Sequence, residues 1–309
     1  MFHMPLFFIC SGYCFNDKYV TCFSRYAIKR IKGLYIPFIK WGVLFLLLHN
    51  VFYNIGIYNS YYGFIGHVTH LYTWKEYFTY FIEIILLINT KEMLLGGYWF
   101  LHTMFFASFI AYMVFRYINI NMLGFVIVLI ISLLCLYLNI VIPYMNVGYM
   151  EFLAAAMIVV GREIKNYDIQ RSWLFTSICF FIVLIASIFI PRTMANVDVI
   201  SIIPYVLISI IGFLMVFSVS AKFVGKFRSV MIYIGNHTLP LLTWHFLSFK
   251  LVSLLIIWVE NRPIEQLAYF PVIPPANCAD QLYSSWWALY FLIGVLIPLT
   301  FCYIKEKVI

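Results

Sequence analysis

Two histidines stand where an imidazole is costly. His3 lies in FHMPLFFICSGY (2–13), an apolar run that also carries Pro5, Ser11 and Gly12. His245 lies in the apolar run 238–259, with Lys250 at i+5 and Thr243, Ser248 and Ser253 adding polarity. An ionisable side chain inside an apolar span marks a functional site by default. Imidazole exchanges protons near neutral pH, so either histidine could remove the proton of a reacting hydroxyl. Each also has a plainer reading as a helix-packing histidine. Lys250 is too deep in its run to snorkel with ease, so it is expected to line a polar cavity with His245. Lys40, near the start of its run, reads as an ordinary snorkelling lysine. Ser11 follows His3 by about two helical turns, on a similar face. It could bond a ligand or its own backbone, and Gly12 beside it reads as a close-packing residue.

Other polar groups cluster outside these runs. Trp99 and His102 open an apolar run, and an aromatic face beside a histidine suits a sugar; a wet interfacial pair is the alternative. His67, His70 and Glu83 belong to the segment 55–97 and read mainly as a solvated loop. HVTH (67–70) has helical spacing but lacks a third ligand, so no metal site is expected. Glu151 begins an apolar run, where a carboxylate favours a helix N-terminus. Arg25, Lys29, Arg30 and Lys32 crowd the loop 15–33. Such a cluster binds phosphate oxygens, Arg through a bidentate fork and Lys as a point charge, or serves topology and anionic lipid.

The elements that carry these residues are membrane helices. Hydrophobic residues make up 64% and charged ones 10% of the chain, where a soluble domain carries about 25% charged. Apolar runs predict an all-α polytopic membrane protein, a single domain over 1–309. Nine spans are expected, at 2–14, 34–54, 98–118, 122–142, 147–161, 173–191, 201–221, 238–259 and 285–304. The stretch 77–89 is too short to cross and reads as re-entrant or interfacial. Phe, Tyr and Trp reach 20%, in keeping with aromatic belts.

Charge sets the expected orientation. With 15–33 cytoplasmic and 77–89 not crossing, one side holds fourteen Lys and Arg and the other only Lys75, Lys91, Arg192 and Arg262. That is a strong positive-inside bias. The formal charge of +8 is thereby topological, which excludes nucleic acid as its reason. The seven cysteines form neither a metal signature nor a disulfide framework. The orientation puts His3 near the outer face with no signal peptide before it, so a further helix is expected upstream of residue 1.

Four motifs, in order, resemble those of the acyltransferase-3 family of integral membrane acyltransferases. FHMPLFFICSGY (2–13) is similar to its second-helix motif, and RIKGLYIPFIKW (30–41) to its basic stretch before an L-x-x-P helix start. GGYWFLHTMFF (96–106) resembles its G-x-x-WFL segment, and YIGNHTLPLLTWHFLSFKLV (233–252) its late helix with a His. The likeness is greatest to the sugar-acetylating, fucose 4-O-acetyltransferase-like branch. It implies transfer of an acyl group, from acetyl-CoA as donor substrate and with no bound cofactor, to a sugar hydroxyl of a surface glycan or its precursor. It implies His3 and His245 as catalytic and Arg25, Lys29 and Arg30 as donor-binding, Arg30 best matching the family's basic position. Ser11, Trp99, His102 and Lys250 would line the acceptor site or pore. Residence in a bacterial cytoplasmic membrane follows, with membrane lipid as the remaining partner and the oligomeric state open. The family carries a catalytic His on the helix expected upstream. A polysaccharide or solute exporter is the alternative, as is an inactive remnant.

Overall fold

The computed structural model describes residues 3–64, 69–169, 172–275 and 284–308. Among these the regular secondary structure is helical, with an isolated β-bridge between Ile142 and Val147. The helices are α1 (His3–Tyr13), α2 (Phe23–Arg30), α3 (Ile36–Asn54), α4 (Trp74–Ile82), α5 (Trp99–Tyr117), α6 (Asn121–Tyr137), α7 (Tyr149–Ile164), α8 (Trp173–Phe189), α9 (Ile202–Ser220), α10 (Gly225–Asn236), α11 (Thr238–Val259) and α12 (Trp287–Val308).

Among the described residues, five helical stretches are long and apolar enough to cross a membrane: Phe23–Asn54, Met93–Tyr117, Ile202–Ser220, Thr238–Val259 and Trp287–Lys307. The apolar helices α6 and α8 are shorter, as are α1 and α7. The protein is multi-pass, and the described residues give five candidate crossings by length and composition where nine are expected from the apolar runs.

The run expected to begin at residue 34 begins at Phe23, because a π-helical turn, Ile31–Tyr35, joins α2 to α3. Pro37 explains the turn. It has no N–H to give, and the wider turn lets the Ile36 N–H reach back to Ile31 O instead. The stretch 77–89 becomes α4 and a second π turn, Glu83–Leu87, stopped by Ile88 in the left-handed region at φ 51°. A capping box starts α4: Thr73 and Glu76 satisfy each other's backbone N–H groups.

The chain divides into two compact units, residues 1–36 with 100–227, and 37–99 with 228–309. In the first, α7 is the centre. Leu153 to Val160 of α7 are all buried, packed by α1 on one side and α6 on another. Gly12 and Gly161 make the α1–α7 approach possible. A Cβ on Gly12 would strike the Ile158 carbonyl, and one on Gly161 the Ile9 carbonyl. Without a solvent-driven hydrophobic force, such small-residue contacts supply the packing between membrane helices. In the second unit, α11 packs on α12 and on two 3₁₀ segments, Met93–Tyr98 and Ile264–Ala268.

Candidate active site

In the first unit a cleft of about 240 Å³ opens where the end of α1 meets the basic loop. Ser11, Cys14, Phe15, Asn16, Tyr19, Lys29 and Arg30 line it. Arg30 Nη2 donates to Ser11 Oγ at 3.1 Å, and its guanidinium lies 5.0 Å from the Tyr26 ring centre. Tyr26 is held in turn by its hydroxyl on the Ser108 carbonyl, 3.0 Å. Arg30 Nε is buried and has no hydrogen-bond partner among the described residues. Lys29 stays exposed, within 3.5 Å of the Tyr19 hydroxyl. A guanidinium and an ammonium lining one cleft are equipped for phosphate oxygens. Arg25, exposed on α2, does not line this cleft.

The loop under the cleft is anchored from α7. Arg162 donates through Nε and Nη2 to Asp17 Oδ1, at 3.0 and 2.6 Å, and Lys165 Nζ reaches Phe15 O at 3.0 Å. These basic residues are therefore spent on structure, and Arg30 and Lys29 are the cations facing the cleft.

His3 is exposed at the other end of α1. His102 is buried, with Nε2 2.9 Å from Met145 O and Nδ1 3.4 Å from Glu151 Oε1. Glu151 also accepts from Thr103 Oγ1 and the Gly148 N–H, both at 2.8 Å. Both imidazole nitrogens of His102 thus tie α5 to the start of α7, and Glu151 does more than cap its helix. A wider hollow of about 620 Å³ near the facing ends of α8 and α9 carries Arg192 and Asp198, but these pair with each other at 2.7 Å.

In the second unit His245 is half-buried on α11. Its Nδ1 lies 2.9 Å from Leu241 O. A carbonyl only accepts, so in the neutral ring Nδ1 carries the proton and Nε2 the lone pair. Phe246 and Phe249 flank the imidazole, ring centres 3.8 and 5.6 Å away. Lys250, one turn further on, is buried, and its Nζ donates to Leu267 O and Tyr269 O, both at 2.8 Å. The ammonium thus clamps the segment 264–269 onto α11. Trp99 is part-exposed at the head of α5.

One constellation has no counterpart among the residues singled out from the sequence. His49, 1% exposed, places Nδ1 3.1 Å from both oxygens of Glu92, 3% exposed. His49 Nε2 faces His70 O at 3.0 Å, and Tyr72 stacks on the ring, centres 3.4 Å apart. Tyr58 OH donates to Glu92 Oε2 at 3.2 Å. The rule that singles out His3 and His245 applies equally to His49 in the apolar run FLLLHNVF; Glu92, in a short polar stretch, gives no local signal. His70 itself pairs with Glu76 at 2.7 Å. The bonds to Thr73 and His70 hold the Glu76 carboxyl down at about 2. His67 lies outside the described residues, among which no group of three potential ligands could hold a metal.

No curated protein and no solved structure matches the chain significantly. Residues 1–305 do match the family described as an acyltransferase domain, so that nearly the whole of this multi-pass chain, cleft and α11 histidine included, belongs to the acyltransferase-3 family.

Proposed function

We propose that the protein is a membrane O-acyltransferase. It moves an acetyl group from acetyl-CoA to a sugar hydroxyl of a cell-surface glycan or its precursor, as in the fucose 4-O-acetyltransferase-like branch of the family. The observation that carries the donor half is Arg30. It is fixed by Ser11 and Tyr26 and lines the cleft beside Lys29, with its buried Nε unpaired. At about 240 Å³ the cleft is smaller than a drug-sized ligand pocket. It suits the phosphate groups of the donor and leaves the rest of the molecule outside. Arg25, exposed near its rim in sequence, would meet those outer parts.

The chemistry needs a base and an acceptor. The sugar hydroxyl oxygen attacks the thioester carbonyl, its proton passes to an imidazole nitrogen, and the carbon–sulfur bond breaks to release CoA. His245 is built for the proton, since its Nδ1–H is committed to Leu241 O and leaves Nε2 basic. His3, exposed on α1, is the second candidate for this role. Trp99 offers a part-exposed indole for a sugar face. The positive-inside bias of the loops supports a cytoplasmic position for the cleft and nine crossings in all, in a bacterial cytoplasmic membrane.

The test is transfer of label from acetyl-CoA to extracted glycan by membranes containing the protein. Label that depends on Arg30 and His245 supports the assignment. Flux of a glycan or solute across sealed vesicles with no acyl donor, and no label, would favour an exporter.

A further inference from the structure

The buried His49–Glu92–Tyr58 network lies one short segment away from the wall that His245 packs against. Glu92 is the residue before the 3₁₀ segment Met93–Tyr98. Tyr58 holds both ends of that junction: its hydroxyl donates to Glu92 Oε2 at 3.2 Å and accepts from the Leu94 N–H at 3.3 Å. Two residues on, the backbone of Gly96 and Gly97 lies against α11 and its neighbours. A Cβ on Gly97 would stand 2.7 Å from Leu242 Cδ1 and 3.6 Å from His245 Cε1, and one on Gly96 2.9 Å from Phe270 Cζ. The segment closes with Tyr98 OH donating to Thr243 Oγ1 at 2.7 Å, since Thr243 spends its own proton on Leu239 O. Both near contacts are to side-chain ends, so a Cβ here would crowd Leu242 and Phe270 without striking backbone. With no side chain at Gly97, the backbone position, and whatever anchors it, sets the space beside the imidazole.

The anchor is fully satisfied. His49 Nε2 must donate, because His70 O can only accept. Tyr58 has one proton and gives it to Glu92. A single further proton then lies between His49 Nδ1 and the Glu92 carboxylate. Asn50, next to His49 on α3, reads the backbone of Tyr72 in both directions, at 2.8 and 3.0 Å. A saturated network buried to this degree rigidifies what it touches.

From these contacts we infer that Glu92, with Tyr58 and His49, is a positioning residue for His245, acting through the backbone of residues 93–98. The role rests on the acyltransferase reading of His245 for its purpose, but its test does not need the reaction.

The test is ring ¹⁵N NMR of histidine-labelled protein in nanodiscs, with the His245 signals assigned by H245N. Wild type is expected to show His245 with its proton on Nδ1. In E92A and in Y58F the His245 ring shifts change and its titration midpoint moves by about half a pH unit or more. E92Q, whose amide can donate to a neutral His49 and accept from Tyr58, restores the wild-type signals. If E92A fails to fold, Y58F decides, as it keeps the ring and loses only two hydrogen bonds. Unchanged His245 signals in folded Y58F would overturn the inference. No acyl donor is present, so this result is read separately from transfer of label, whose absence would count against the acyltransferase alone.

Discussion

The Ser11–Arg30 cleft and the His49–Glu92 network are built from similar groups and end in opposite states. In the cleft a cation keeps a buried donor unspent and a lysine stays exposed. In the network every polar atom named above has a partner, and the ring of His49 is closed over by Tyr72. Burying polar groups in full pairing supports rigidity, whereas a buried donor left unpaired costs stability. Histidines divide the same way. His49 and His102 have both nitrogens engaged, and His245 has one.

Substitutions should separate the two kinds of site. The largest effect is expected at His245. H245N keeps size and polarity but removes the base, and label transfer should fall about 10²–10⁴-fold with the fold intact. A fall of less than tenfold would move the base elsewhere, with His3 next to be substituted. R30M should come second. Loss of a charge-assisted contact of about 1.5–3 kcal/mol predicts a drop in kcat/KM of roughly ten- to a hundredfold, read mainly as a higher KM for the donor. R30K should recover part of it, since Lys binds phosphate as a point charge without the fork.

The saturated sites should answer in stability. K250M leaves two carbonyls without their donor, at about 1–3 kcal/mol for each group left unsatisfied. A lower unfolding temperature in detergent, with the donor KM unchanged, would keep Lys250 on the structural side. A raised donor KM would return it to the pore-lining role expected from the sequence. G161A probes the α1–α7 approach beneath the cleft, where overpacking costs about 1–3 kcal/mol. Tryptic nicking of the loop 15–33 should rise in this variant.

The smallest effect is local. Glu76 titrates at about 2 in the folded protein, held down by Thr73 and His70. A depressed carboxyl stabilises above its unfolded value, near 4.5, and loses that contribution as pH falls through about 2. Fraying of α4 should therefore set in over that window in wild type. In E76A it should already be present at neutral pH. Amide exchange across 74–82 reads both.

Apolar runs made most helices legible, because a chain with so few charges has only polar loops to break it. Helix α11 falls where its run predicts, at 238–259. The misplaced start of the 34–54 run shows the limit. The polar face of α2 hides a helix that the π turn continues past Pro37 into α3. Gly12 was readable as a packing residue because small residues in a membrane helix have few other uses. The carbonyl partners of Lys250 were not, since they lie 17 and 19 residues away and carry no residue signature. Glu92 was hidden for the same kind of reason: its partner His49 is 43 residues distant, and only the fold brings them together.

The central claim is that the Arg30 cleft holds the phosphate end of an acyl-CoA donor. The direct measurement is binding of CoA to the purified protein in nanodiscs by isothermal titration, compared with dephospho-CoA and pantetheine, in wild type and R30M. CoA should bind wild type, lose affinity stepwise as phosphates are removed, and lose roughly ten- to a hundredfold in R30M, while pantetheine is indifferent to the substitution. Equal CoA affinity in wild type and folded R30M would contradict the assignment of the cleft.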